Sequence, residues 1–226
     1  HYGASIPKLA DYDEEAYLQC PYRRKKSCTK PLRRRCSDQT GVQYLTLLRD
    51  QFDRVIDILE QDTGIHISEQ TARHMIRAYI DNKGWEYYDS SLNNLPWQFA
   101  HVEKALPMFG RYVRSDSALA KALKGNCPDV KLIPAGRDGM MKVTSRENQY
   151  VDLLYYFCFH KLSVADGVLT ETITLRLYRS GNPAKAVFEQ VIPIRGEYFM
   201  NLASEPDTAN TRNERWLHLA REEIRL

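Results

Sequence analysis

Apolar residues recur at helical spacing over residues 42–61. Leu45, Leu48, Phe52, Val55, Ile56 and Leu59 make one stripe, with Gly64 just past its end. Arg49/Asp53 and Asp50/Arg54 stand four apart on the other side, where such pairs support a helix modestly. A second helix is expected over 69–82. Ser68 is placed to cap it, Ala72, Met75, Ile76, Tyr79 and Ile80 form its inner face, and Gly84 signals its end. A third begins with Asn94 as cap and Pro96 in the first turn, carries Phe99, Val102 and Leu106, and stops at Pro107. A short fourth covers 116–124, closed by Gly125. Residues 85–93 and 126–139 read as loops, the latter holding Pro128, Pro134, Gly136 and Gly139.

From residue 140 the period changes from helical to alternating. Residues 149–164 and 168–179 read as long strands joined at Ala165-Asp166-Gly167, an Asp-Gly hairpin signal. Ser180-Gly181-Asn182-Pro183 is the next turn, 185–194 another strand, and 140–144 a short first one. The chain closes on an amphipathic helix at about 212–226, with Trp216, Leu219, Ala220 and Ile224 on one side. Helices, then an antiparallel meander, then a helix argue an α+β fold: N-terminal helices on one face of a sheet of three to four strands. A curved cystatin-like or NTF2-like sheet fits that order as an analogy of layers. Residues 1–40 read as an arm and 41–226 as a single α+β domain (helices 41–125, sheet 140–195, C-terminal helix 212–226).

Charge changes the picture. The net +3 over 226 residues conceals eight cations within 23–35: Arg23, Arg24, Lys25, Lys26, Lys30, Arg33, Arg34 and Arg35, with no acid among them. Subtracting those eight leaves −5 for the rest, so a mildly acidic body carries a strongly basic arm. Such a field attracts an acidic protein surface or nucleic acid, and a run of this kind is often an interaction tail. Arginine's planar fork favours paired contacts to carboxylate or phosphate. Cys20, Cys28 and Cys36 bracket the run at even spacing. Gaps of seven residues suit zinc poorly; a disulfide framework drawn from Cys20, Cys28, Cys36 and Cys127 suits them better, with Cys158 left over in an apolar strand. Oxidised arm cysteines would belong to a secreted or periplasmic chain, reduced ones to a cytoplasmic or nuclear chain.

The stretch 62–77 places a glycine turn, Ser68 and exposed Arg73 and Arg77 around a small Ala72. It resembles the turn and recognition helix of helix-turn-helix DNA-binding proteins. That resemblance implies that Ser68, Gln70, Thr71, Arg73, His74 and Arg77 would face the groove. The turn is longer than that pattern by His66 and Ile67, and an ordinary helical hairpin accounts for the same residues. Trp85, Tyr87, Tyr88 and Trp97 form an aromatic cluster suited to a contact surface. Nucleophile elbows, phosphate loops, dinucleotide fingerprints and paired-histidine zinc motifs are missing from the sequence. His66, His101 and His160 remain as isolated candidates for a hydrolytic site. No run is apolar enough for a membrane span, and no residue pattern calls for a cofactor or metal. The sequence therefore reads as a non-enzymatic binding protein, a component of a larger assembly, that meets an acidic partner through its arm. The alternatives are a DNA-binding protein using 62–77 and a disulfide-stapled, secreted or periplasmic protein-binding module.

Overall fold

A computed structural model describes residues 11, 33, 38–87, 89–136, 139–146, 150–165, 168–205 and 212–226. The first predicted helix is two. Helix α1 (Asp38–Asp50) breaks at Gln51, whose φ of −120° and ψ of 19° leave helical space, and α2 (Phe52–Thr63) resumes. The Arg54 guanidinium donates to Gln51 Oε1 at 3.0 Å across the break. Gly64 ends α2 in the left-handed region at φ 69°, and a Cβ there would sit 2.6 Å from Cβ of Ser117.

The apolar stripe of α2 widens to most of its circumference, with Phe52, Val55, Ile56, Ile58 and Leu59 all buried. It is the axis of the core. Phe52 meets Phe99 and Trp216 edge-on, with centroids 5.7 and 6.2 Å away. Helix α3 (Glu69–Asp81) packs beside it, capped as expected by Ser68, whose hydroxyl accepts from the Thr71 amide at 3.3 Å. A 3-10 turn (Gly84–Glu86) leads to α4 (Leu95–His101). Helix α4 is shorter than predicted because the chain after it extends into strand β1 (Leu106–Pro107).

Two antiparallel sheets follow. The larger has the order β1-β5-β6-β7, with β5 (Leu153–Ala165), β6 (Val168–Arg179) and β7 (Asn182–Pro193) forming the predicted meander. Its inner face brings Tyr155 opposite Leu177 and Phe157 opposite Leu175. The smaller sheet is built on the short strand expected at 140–144, but its two outer strands were not foreseen. It pairs β2 (Tyr112–Arg114) and β3 (Val130–Pro134) on either side of β4 (Met140–Ser145), with α5 (Ala118–Asn126) between β2 and β3. Strands of three and five residues, bounded by prolines and glycines, are too short to carry a readable alternation. Helix α6 (Gly196–Ser204) is a further element that the sequence pattern does not disclose. The architecture is α+β, with the C-terminal helix α7 (Glu214–Glu223) closing the core through Trp216, Leu219, Ala220 and Ile224. Among the described residues no helix is long and apolar enough to cross a membrane.

The predicted Arg49/Asp53 and Asp50/Arg54 pairs do not form. Arg49 turns to Asp50 at 2.9 Å, and Asp53 is taken by a residue far along the chain. The Arg212 guanidinium grips both oxygens of Asp53 at 2.8 and 2.9 Å, and the Asn213 amide donates to the same carboxylate at 3.0 Å. Both side chains are about 5% exposed or less. Burial alone would raise the Asp53 carboxyl; the hydrogen bonds from Arg212 and Asn213 outweigh it and hold the group below its usual value. The stability this lowering supplies is present above the usual carboxylate range and is lost as pH falls through the depressed folded value. We predict that Arg212→Met, which strands a buried carboxylate, lowers stability by about 3 kcal/mol in chemical denaturation at pH 7. A loss under about 1 kcal/mol would show that the pair holds nothing in place.

Candidate functional site

The bulge on β5 aims the polar residues of the site. Cys158 pairs with Thr174 and Lys161 with Thr172, so Phe159 and His160 together oppose the single residue Ile173. Phe159 takes φ +52°, a region that bulky residues avoid, and points out to solvent. His160 consequently turns inward, its side chain 5% exposed. Its Nε2 lies 2.6 Å from Glu171 Oε1 and its Nδ1 3.1 Å from Gln98 Nε2, with Asp89 Oδ2 at 3.9 Å. The network is closed further by Asn94, whose amide donates to Glu171 Oε1 at 2.6 Å and to the Asp89 carbonyl at 2.7 Å. Asn94 stands at the N-cap position as expected, but its side chain makes no capping bond; it ties helix to sheet, and its Oδ1 accepts from the Ser91 amide.

Both ring nitrogens of His160 are therefore engaged. With Gln98 donating to Nδ1 and Nε2–H donating to Glu171, the imidazole spends its lone pair within the protein. A general base needs that lone pair free for substrate, so this geometry suits cross-linking of α4 to β5 and β6 better than proton transfer. His101, at the end of α4, lies close enough to feel His160 and Asp89 electrostatically. Burial, reinforced by His160 and opposed by Asp89, lowers its pKa to about 4, so its ring is neutral near pH 7.

Toward the surface the network meets the aromatic segment and the arm. The His101 ring stands edge-on to Tyr87, centroids 6.5 Å apart. Arg33 makes an isolated antiparallel β-bridge to Tyr87, its guanidinium 5.1 Å from the ring centroid and 3.8 Å from Glu86. Among the described residues the sequence-predicted arm and aromatic cluster meet at Arg33 and Tyr87, and Tyr87 in turn meets His101.

The other predicted site residues scatter. Arg23, Arg24, Lys25, Lys26, Lys30, Arg34, Arg35, Tyr88, Cys20, Cys28 and Cys36 lie outside the described residues. Trp97 is fully buried and donates its indole N–H to Asp62 at 2.9 Å, so it belongs to the core and offers no contact surface. Trp85 is half-buried against Tyr79 and Gly41. Cys127, expected in a disulfide, is a free thiol enclosed at the end of α5, and burial raises its pKa; Cys158 is also free. On the helix-turn-helix segment, Thr71 is buried and bonded to Arg111, and Glu69 pairs with Arg215. Arg73 and Arg77 turn to Glu222 and Glu223 of α7, at 3.2 Å for Arg73–Glu222 and 2.7 Å for Arg77–Glu223. His74 faces Glu103 at 3.4 Å and His66 faces Glu60 at 2.8 Å; Gln70 is exposed. The face that would read DNA is the face that seats the last helix. Among the described residues no cluster of His, Cys, Asp and Glu is arranged to hold a metal.

Glu171, Gln98, Asn94 and Asp89 escaped the sequence reading. Glu171 falls on the same face of β6 as Ile173, Leu175 and Leu177, so an acid at an inward-facing position was the one signal in the sequence that a polar partner lay opposite it.

For His101 the unfolded chain, with its histidine near 6.5, binds more protons than the native state between that value and about 4. Stability should fall as pH drops through this window, by about 3 kcal/mol in full. His101→Gln should remove that slope, so the stability difference between wild type and variant changes across pH 6.5 to 4.5; a constant difference would refute the assignment.

No protein-family profile matches this chain, no curated protein is significantly similar to it, and no solved structure resembles it, so its cystatin-like or NTF2-like character stays an analogy.

Proposed function

We propose that the chain is a non-enzymatic binding protein, a component of a larger assembly, that engages an acidic protein surface through its basic arm. The observation that carries this reading is the seating of Arg33 on Tyr87 and Glu86. That contact ties the arm to the folded body and engages one of its eight cations. It supports reading the aromatic segment as the point beside which the arm's cations would act. Five of the eight cations are arginines, suited to forked contacts with carboxylates. An arm of this composition speeds encounter with an acidic face and sets orientation, and both effects weaken with salt.

The same field would draw a phosphate backbone, so duplex DNA is the rival ligand. Against a sequence-reading role for 62–77 stands the commitment of Arg73 and Arg77 to Glu222 and Glu223. The disulfide-stapled module rests on the arm cysteines, with Cys127 no longer available as a partner.

Fluorescence anisotropy of the full chain with labelled polyglutamate and with duplex DNA separates these readings. Polyglutamate should bind, weaken as salt rises, and lose at least about tenfold in affinity when Arg33, Arg34 and Arg35 are changed to Glu. Tighter binding to DNA that Arg73→Ala abolishes would favour the DNA reading. Binding of polyglutamate that ignores both salt and charge reversal would overturn the proposal.

A further inference from the structure

A cleft of about 300 Å³, open to solvent, lies between the segment leading into α3, the start of β2 and the first turn of α7. One water needs only about 10–15 Å³ of such space, so a ligand of many atoms fits. Ser68, Glu69, Arg111, Tyr112 and Arg215 are its polar lining.

Arg111 is half-buried, and its charge is not answered within the fold. Its backbone amide and carbonyl are spent on Met108 and Val143, so what it offers the cleft is its guanidinium. That group donates from Nε to the Pro107 carbonyl at 3.1 Å and from Nη1 to the Thr71 hydroxyl. Both acceptors are neutral. Among the described residues Arg111 has no carboxylate partner and its Nη2 makes no hydrogen bond, whereas Arg73, Arg77, Arg179 and Arg212 each hold an acid.

Thr71 passes the donor character on. Its Oγ1 lies 2.9 Å from Ser68 Oγ, which also accepts from the Thr71 amide at 3.3 Å. With Thr71 as the donor of the hydroxyl pair, both Ser68 lone pairs are used, and the group left for the cleft is the serine O–H. The same chain of contacts places the guanidinium next to Ser68. Arg215 pairs with Glu69, so two arginines against one carboxylate leave the lining one positive charge in excess. Exposed Lys142, opposite Tyr112 in the small sheet and on the same face, adds to that field.

We propose that this cleft binds a phosphate group, free or as the monoester of a small molecule, with Arg111 and Ser68 donating to its oxygens. A phosphate monoester presents three acceptor oxygens and close to two negative charges, and a guanidinium fork matches its geometry. The cleft leaves space beyond the phosphate for a substituent. Glu69 opposes an anion here, so its neutralisation acts in the direction opposite to that of Arg111.

The test is titration of the full chain with inorganic phosphate, glycerol 3-phosphate and acetate, followed by amide chemical shifts. Ionic strength is held at about 0.15 M, where fields beyond about 8 Å are screened. Both phosphates should bind saturably, shift residues around Ser68 and Arg111, and bind more tightly than acetate. Tighter binding of glycerol 3-phosphate identifies an ester as the source, and equal or tighter binding of inorganic phosphate identifies the free ion; either supports the site. Arg111→Gln should weaken phosphate at least about tenfold, and Glu69→Gln should strengthen it. Changing Arg33, Arg34 and Arg35 to Glu should leave phosphate binding as it is, which separates this cleft from the arm. Acetate binding as tightly as both phosphates, shifts confined to other regions, loss of binding on charge reversal in the arm, or no gain in Glu69→Gln would each overturn the proposal. Glu69 is exposed, so that variant decides the matter even if Arg111→Gln fails to fold.

Discussion

The grip of Arg212 on Asp53 is the constraint around which the helical layer is arranged. It joins a carboxylate on the central helix to the residue that leads into the last one, over 159 positions of chain. Two charges taken out of water repay their desolvation only when geometry is good and every remaining hydrogen-bonding group is used. Here the Asn213 amide and the Asp50 carbonyl complete the set. Such a pair tolerates little displacement, and so it dictates where α7 begins. Once the helix starts there, Trp216 falls against Phe52, and Glu222 and Glu223 arrive above Arg73 and Arg77. The outer ion pairs are half in solvent and contribute little individually. Their effect is to consume the cations that would otherwise make α3 a basic face.

The same logic of internal commitment runs through the rest of the molecule. The residues that looked most available in the sequence, Arg73, Arg77, His160 and Trp97, each prove to have a partner within the fold. Arg33, the arm cation among the described residues, likewise has partners in Tyr87 and Glu86. Function is best sought where the internal accounting does not close, because a group satisfied by its own protein has little left to offer another.

The longest periodic segments were legible beforehand. Leu45 to Leu59, Ala72 to Ile80 and the alternation of Ile173, Leu175 and Leu177 announced the central helices and the inner face of the large sheet. Of the small sheet only the central strand was legible, because three residues from Tyr112 and five from Val130 give no period to detect. Long-range choices of partner were hidden as well. Asp53 had a plausible local mate in Arg49, and only the burial of its face by α7 makes the distant Arg212 the winner. At the site, the aromatic and basic composition singled out in the sequence includes Arg33 and Tyr87, which the fold brings together. The buried amides Asn94 and Gln98 carry no sequence signature, since an Asn before a helix reads first as a cap.

The bulge at Phe159 and His160 acts as a register lock. Side chains on a strand change faces with every residue, so a hairpin slipped by one position exchanges its whole inner and outer sets. In this hairpin the slip would drive an aromatic ring among Gln98, Asn94 and Glu171 and expel an imidazole that satisfies two of them. The misaligned state would be penalised twice, once by stranded polar groups and once by the loss of the imidazole that joins Gln98 to Glu171. A long hairpin rich in leucine, threonine and aromatic residues has many near-equivalent pairings; two adjacent residues of opposite character make one of them unique.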